Sequence, residues 1–217
     1  MIKMEDNVQH KKEEQEKIDQ EKIKAVLEKL NSSEAENYVA KNLKNFENVE
    51  IKKMSELPYW NRMSKFLDTK RISGGEVIII DDEKNWENIY GSNDSKSSLK
   101  PMAIILKKEI FDRENISEEN ISWLIHEIGH IEFYKALGER LDSYMEEYYR
   151  KGEYVESEME KTAFQLQFEY LKSIGKSRTE CVEFIKNYFD KSFSENESEK
   201  KEKELEKVTE YLDEIFR

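Results

Sequence analysis

The stretch Ile121-Ser122-Trp123-Leu124-Ile125-His126-Glu127-Ile128-Gly129-His130-Ile131 carries the most information in this chain. Ile121, Leu124, Ile125, Ile128 and Ile131 recur at three- and four-residue spacing, the pattern of a helix with one apolar face. Ser117 is a good N-cap, and Glu118 and Glu119 fall in the first turn, where the helix dipole favours acids. Gly138 stands where a helix stops, so the pattern predicts a helix over 118–137. His126 and His130, four apart, then lie on one face, one turn above the other. Two imidazoles so placed reach one tetrahedral zinc ion, and Glu127 projects beside them as a general base for a metal-activated water. The chain has only 3 histidines. Random placement gives roughly 0.01 matches to this pattern in a chain of this composition. Gly129 inside a helix costs about 1 kcal/mol relative to Ala, so a close approach of another segment is expected at that turn.

A catalytic zinc usually takes three protein ligands and keeps one position open. The third histidine, His10, lies in a polar N-terminal stretch, and no histidine follows His130, so the third ligand should be an acid. Glu156, Glu158 and Glu160 all lie on a helix expected over 155–173. Asp142, twelve residues after His130, is a competitor from the intervening acidic segment. Peptide cleavage would also need a donor for the developing oxyanion. Tyr144, Tyr148, Tyr149 and Tyr154 lie between the two ligand segments, although ordinary packing explains any one of them equally well.

With these segments in hand, the chain resembles the gluzincin branch of the HExxH zincins. Within that branch the ImmA/IrrE-like metallopeptidases and the prenyl-protein zinc peptidases look closest. These families place a strand just before the HExxH helix and follow it with a helix of pattern E-x-E-A-[DN]-x-F. Met102–Leu106 matches the strand, and Glu158-Met159-Glu160-Lys161-Thr162-Ala163-Phe164 matches the second helix. The resemblance implies that Glu158 is the third ligand, with Glu156 and Glu160 as alternatives less than a turn away. Lys161 stands where the family has Ala. Thr162 stands where it has the Asp or Asn that orients a histidine. The resemblance covers about residues 76–175. It implies a zinc metallopeptidase acting on a peptide or protein, with His126, His130 and Glu158 on the metal and Glu127 as catalytic base. An exposed edge strand, either Glu76–Asp81 or Met102–Leu106, would receive substrate.

Outward from this segment, the order is helices, a few strands, then helices again. Two N-terminal helices are expected, one with Ile18, Ile23, Val26, Leu27 and Leu30 and one with Ala35, Tyr38, Val39, Leu43 and Phe46. A short strand at 48–54 and a helical stretch around Trp60, Met63, Phe66 and Leu67 follow. The buried strand Glu76–Asp81, a Gly/Ser/Asn/Asp-rich loop over 91–98 and the strand Met102–Leu106 come next. The segment 139–154 reads as irregular, and helices are expected over 155–173, 178–190 and near the C-terminus. The expected fold class is α+β: a helix-rich, zincin-like domain with about three strands, flanked by N- and C-terminal helices. The expected organisation is a helical extension at 1–70, the metallopeptidase domain at 71–192 and a charged helix at 193–217.

Composition narrows the setting. The 217 residues carry a net charge of −12, with Lys interleaved among Glu. No basic stripe marks a nucleic-acid surface, and neither nucleic-acid nor membrane binding is expected. The longest apolar runs are far too short to span a bilayer. One cysteine, Cys181, excludes an internal disulfide. With no apolar leader after Met1, the default location is cytoplasmic. Lys/Glu-rich terminal helices also leave open a helical interaction protein without metal.

Overall fold

A computed structural model of the chain describes residues 43–46, 48–90, 95–98, 102–151, 157–193 and 195–217. The helix expected around 16–30, most of the one at 33–46, His10, Tyr154 and Glu156 lie outside the described residues. The fold is α+β with a small mixed sheet. The chain divides into two compact units. One holds Gly75–Phe111 and the segment before Leu57; the other holds Leu57–Gly74 and Asp112–Arg217.

The first unit carries the sheet, with strands β1 (Val49–Lys53), β2 (Glu76–Ile80), β3 (Ser95–Ser98) and β4 (Ala103–Lys107) in the order β1-β2-β4-β3. β2 and β4 are central and parallel, while β1 and β3 flank them antiparallel. A parallel strand buried on both faces reads as a continuous apolar run rather than an alternating one. Val77–Ile80 and Ala103–Leu106 are such runs, and all eight residues are buried. Helix α1 (Trp60–Thr69) belongs to the other unit, and the crossover between β2 and β4 includes helix α2 (Glu83–Tyr90). Its Trp86 is fully buried with Leu43, Phe46, Ile78, Ile80, Ala103 and Ile105. A four-residue helix, α3 (Lys108–Phe111), closes the unit.

The sheet has four strands where about three were expected, because Ser95–Ser98 forms β3 and not a loop. Three serines and a lysine have no strand propensity to speak of. Their backbone extends because it completes the hydrogen-bonding edge of β4, from Ser95 opposite Leu106 to Ser98 opposite Ala103.

The second unit is helical: α1, α4 (Glu118–Leu137), α5 (Leu141–Lys151), α6 (Glu158–Ser173), α7 (Arg178–Ser192) and α8 (Ser198–Phe216). α4 has the bounds its pattern predicts. Ser117 Oγ accepts from the Asn120 amide at 3.1 Å, and Gly138 follows at φ +52°. α5 is regular helix where an irregular segment was expected. Its Leu141 and Met145, one turn apart, are its buried anchors.

α4 and α6 form the closest helix pair, and Gly129 explains how. A Cβ at Gly129 would lie 2.6 Å from Cα of Ala163, so the backbones meet where neither helix can present a larger side chain. This is the close approach that a glycine in mid-helix implied. α8 packs along α6 and α7, with Val208, Tyr211 and Leu212 buried. α1 is tied to the start of α4 by Arg62, which donates to the Ile116 carbonyl and pairs with Glu118. Burial pushes the Glu118 carboxyl up, but hydrogen bonds from Tyr170 and Arg62 outweigh it and hold the group below its ordinary value. Among the described residues no helix is long and apolar enough to cross a membrane.

Candidate metal centre

The α4/α6 seam carries a buried polar cluster next to its tightest point. His126 and His130 come from α4, and Glu160 comes from the first turn of α6. Their exposures are 4%, 5% and 1%. Glu160 stands between the two rings. One carboxylate oxygen lies 3.4 Å from Nε2 of His126 and the other lies 3.5 Å from Nε2 of His130. The candidate ligand atoms all lie within 4.8 Å of one another.

Those distances bear on what fits between the groups. Metal–ligand bonds of about 2.0–2.2 Å at tetrahedral angles separate neighbouring ligand atoms by about 3.4 Å. The two observed nitrogen–oxygen separations match that edge length. A buried carboxylate facing two imidazoles needs a cation or an added proton to offset its lost hydration. A divalent ion does this for all three groups at once. The donor set of two imidazoles and one carboxylate suits zinc.

The surroundings are aromatic. Phe164 packs edge-on against His126 with ring centroids 4.6 Å apart, and Trp123 lies 5.3 Å away on the other turn. Tyr134 stacks on His130 at 6.3 Å. Such apolar walls lower the local dielectric and strengthen electrostatic interactions beside them. Glu127, the next residue on α4, is only partly buried.

Glu160 holds the place expected for Glu158. Ser157 caps α6, its Oγ accepting from the Glu160 amide at 3.2 Å. Glu158 is then the first helical residue and is exposed. Glu160 is two residues further round, on the stripe with Ala163 and Gln167 that faces α4. The carboxylate between the two histidines thus lies two residues beyond Glu158, and the residue four beyond it is Phe164 rather than Thr162. Thr162 instead bonds back to the Glu158 carbonyl at 2.8 Å. Asp142 is exposed in the first turn of α5 and is not part of the cluster.

The tyrosines divide in the same way. Tyr144 Oη accepts from the Met159 amide at 3.3 Å and so secures the start of α6. Tyr148 is partly buried on α5, and Tyr149 lies in the same helix. A tyrosine that the sequence did not single out also neighbours the cluster. Tyr188 of α7 packs on Trp123 with centroids 4.2 Å apart. Burial raises its phenol pKa, a hydrogen bond with Ser192 opposes this, and the charges of Glu127, Glu160 and Glu204 add to the rise. It stays a protonated donor within electrostatic range of all three acids. Glu204 of α8 is the second unforeseen neighbour. Burial pushes its carboxyl up, Lys200 at 3.9 Å opposes, and Glu160 reinforces the rise. Neither had a local signature: Tyr188 reads as one more amphipathic-helix position and Glu204 as one acid among many.

The chain matches no protein-family model, no curated protein and no solved structure.

Proposed function

We propose that the chain is a zinc-dependent metallopeptidase of the zincin kind, with His126, His130 and Glu160 as metal ligands and Glu127 as catalytic base. The observation that carries this reading is the pair of nitrogen–oxygen separations, 3.4 and 3.5 Å, among three buried groups on one helix seam. A zinc ion held there supplies a Lewis acid for a peptide carbonyl and brings the pKa of water near neutrality. Glu127, partly exposed and adjacent to His126, takes the proton from the attacking water and delivers it to the leaving amine. Tyr188, whose phenol feels the charges of Glu127 and Glu160, is a candidate donor to the oxyanion as negative charge develops. The substrate class is a peptide or protein, and the single cysteine agrees with a reducing, cytoplasmic setting.

A second reading has its own support. Counted from Glu160, the position four residues on, where an Asp or Asn would orient a histidine, holds Phe164. A ring there gives no carboxylate to raise ligand basicity, which suits a zinc-binding regulatory or interaction protein with little turnover. One experiment separates the readings. The purified protein is analysed for zinc and assayed on a broad peptide library, beside Glu127→Gln. The peptidase reading expects about one zinc per chain in both, with cleavage abolished by chelator and lowered at least about 100-fold in the variant. Full zinc without turnover in either protein favours the second reading. Less than about half an equivalent of zinc rejects both.

A further inference from the structure

Gln167 lies on the same α4/α6 seam as the candidate ligands, one turn beyond Ala163, and is fully buried. Its Nε2 donates to Oγ of Ser122 at 3.1 Å. Ser122 in turn donates its only hydroxyl proton to the Glu119 carbonyl at 2.7 Å. The Ser122 oxygen can therefore only accept from Gln167, and this fixes which way the amide points. Oε1 is turned to the other side, enclosed, with no hydrogen-bonding partner among the described protein atoms. A buried carbonyl of this kind is costly unless something donates to it.

The next donor along the seam follows from helix geometry. Ser122 and His126 are four residues apart on α4, so their Cβ atoms lie about 5–6 Å apart on one face. The amide of Gln167, seated on Ser122, is thus one turn from the His126 ring. The Nε2 of that ring faces Glu160 at 3.4 Å. When Nε2 is the metal-binding nitrogen of a neutral imidazole, the ring proton sits on Nδ1.

We infer that Gln167 is a positioning residue for the metal centre, its Oε1 accepting the Nδ1–H of His126 through one enclosed water. This rests on the metal-binding reading above and adds a residue that the zinc motif does not contain. With Phe164 four residues beyond Glu160, the acceptor role passes to an amide one turn further along α6. A neutral acceptor fixes the ring's tautomer and direction without adding a second buried charge beside Glu160.

The test uses the full-length chain and zinc alone. Zinc affinity is measured by chelator competition for the wild type, Gln167→Leu, Gln167→Met and Gln167→Glu, together with the melting temperature of each metal-free protein. The expected result is a 10–100-fold weaker affinity in the Leu and Met variants. Their metal-free melting temperatures should stay within about 4 °C of wild type, the shift that one lost neutral hydrogen bond produces in a chain of this size. Gln167→Glu, which keeps the acceptor but gives up the amide donor to Ser122 Oγ, should recover part of the affinity lost in the Leu and Met variants. In the zinc-loaded wild type, the imidazole Nδ1–H resonance of His126 should be protected from exchange, and it should be lost in Gln167→Leu. Wild-type affinity in both apolar variants overturns the positioning role while leaving the metal reading intact. A loss of affinity that only tracks a fall in melting temperature, with no rescue by Glu, does the same. Failure of the wild type itself to bind zinc overturns the metal reading and this inference with it.

Discussion

At the residue scale, the decisive comparison is between two glutamates two positions apart. Glu158 and Glu160 have the same chemistry, yet one is exposed and the other is 1% exposed between two imidazoles. Removing a carboxylate that touches the metal should cost more than the 10–100-fold typical of an outer-shell partner. Glu160→Gln is therefore expected to weaken zinc binding by more than about 100-fold, measured by chelator competition. Glu158→Gln should leave zinc affinity unchanged. It should lose only the roughly 0.3–1 kcal/mol that an acid contributes at a helix N-terminus, seen as a small shift in a urea melt. The reverse ranking would restore the register implied by the resemblance and contradict the geometry described above.

At the scale of elements, the α4/α6 seam sets the site. Ala in place of Gly129 would normally strengthen a helix by about 1 kcal/mol. Here the new Cβ would stand 2.6 Å from backbone Cα of Ala163, an atom with no rotamer to change. The helices would have to separate, and overpacking of this sort costs about 1–3 kcal/mol. Gly129→Ala should thus lower the urea midpoint and also weaken zinc binding, because His126, His130 and Glu160 sit within a turn of the contact. A variant more stable than wild type would show that the seam yields more easily than its backbone contact implies. The sheet makes a complementary point about legibility. The parallel runs of β2 and β4 announce themselves through β-branched residues, whereas β3 exists only because β4 offers it a backbone edge.

For the whole molecule, the two compact units predict an uneven response to metal. All three candidate ligands and Glu127 lie in the helical unit, and none lies in the sheet-bearing one. Zinc at about 100 times its dissociation constant stabilises a folded site by about 2.7 kcal/mol. For a chain of this size that corresponds to a rise in Tm of about 5–10 °C. Hydrogen exchange with and without zinc should show the added protection in α4 and α6, with β2 and β4 unchanged. Equal protection of both units would mean that they unfold as one. No shift at all would contradict the metal reading.

What the sequence determined alone is local. The capped, apolar-striped helix over 118–137, the two histidines one turn apart on it, and the buried strands β2 and β4 all follow from spacing and side-chain type. The third ligand is different, and the pair of Ser-x-x-Glu sequences shows why. Ser177 and Glu180 close a full capping box at the start of α7, which draws the exposed Glu180 carboxyl down to about 2. Ser157 and Glu160 have the same spacing at the start of α6, but the Glu160 carboxylate turns to His126 and His130. Local sequence offers both glutamates the same hydrogen bond. Only the approach of α4, permitted by a missing Cβ at Gly129, gives Glu160 a buried alternative, and contacts between segments so far apart leave no periodic trace along the chain.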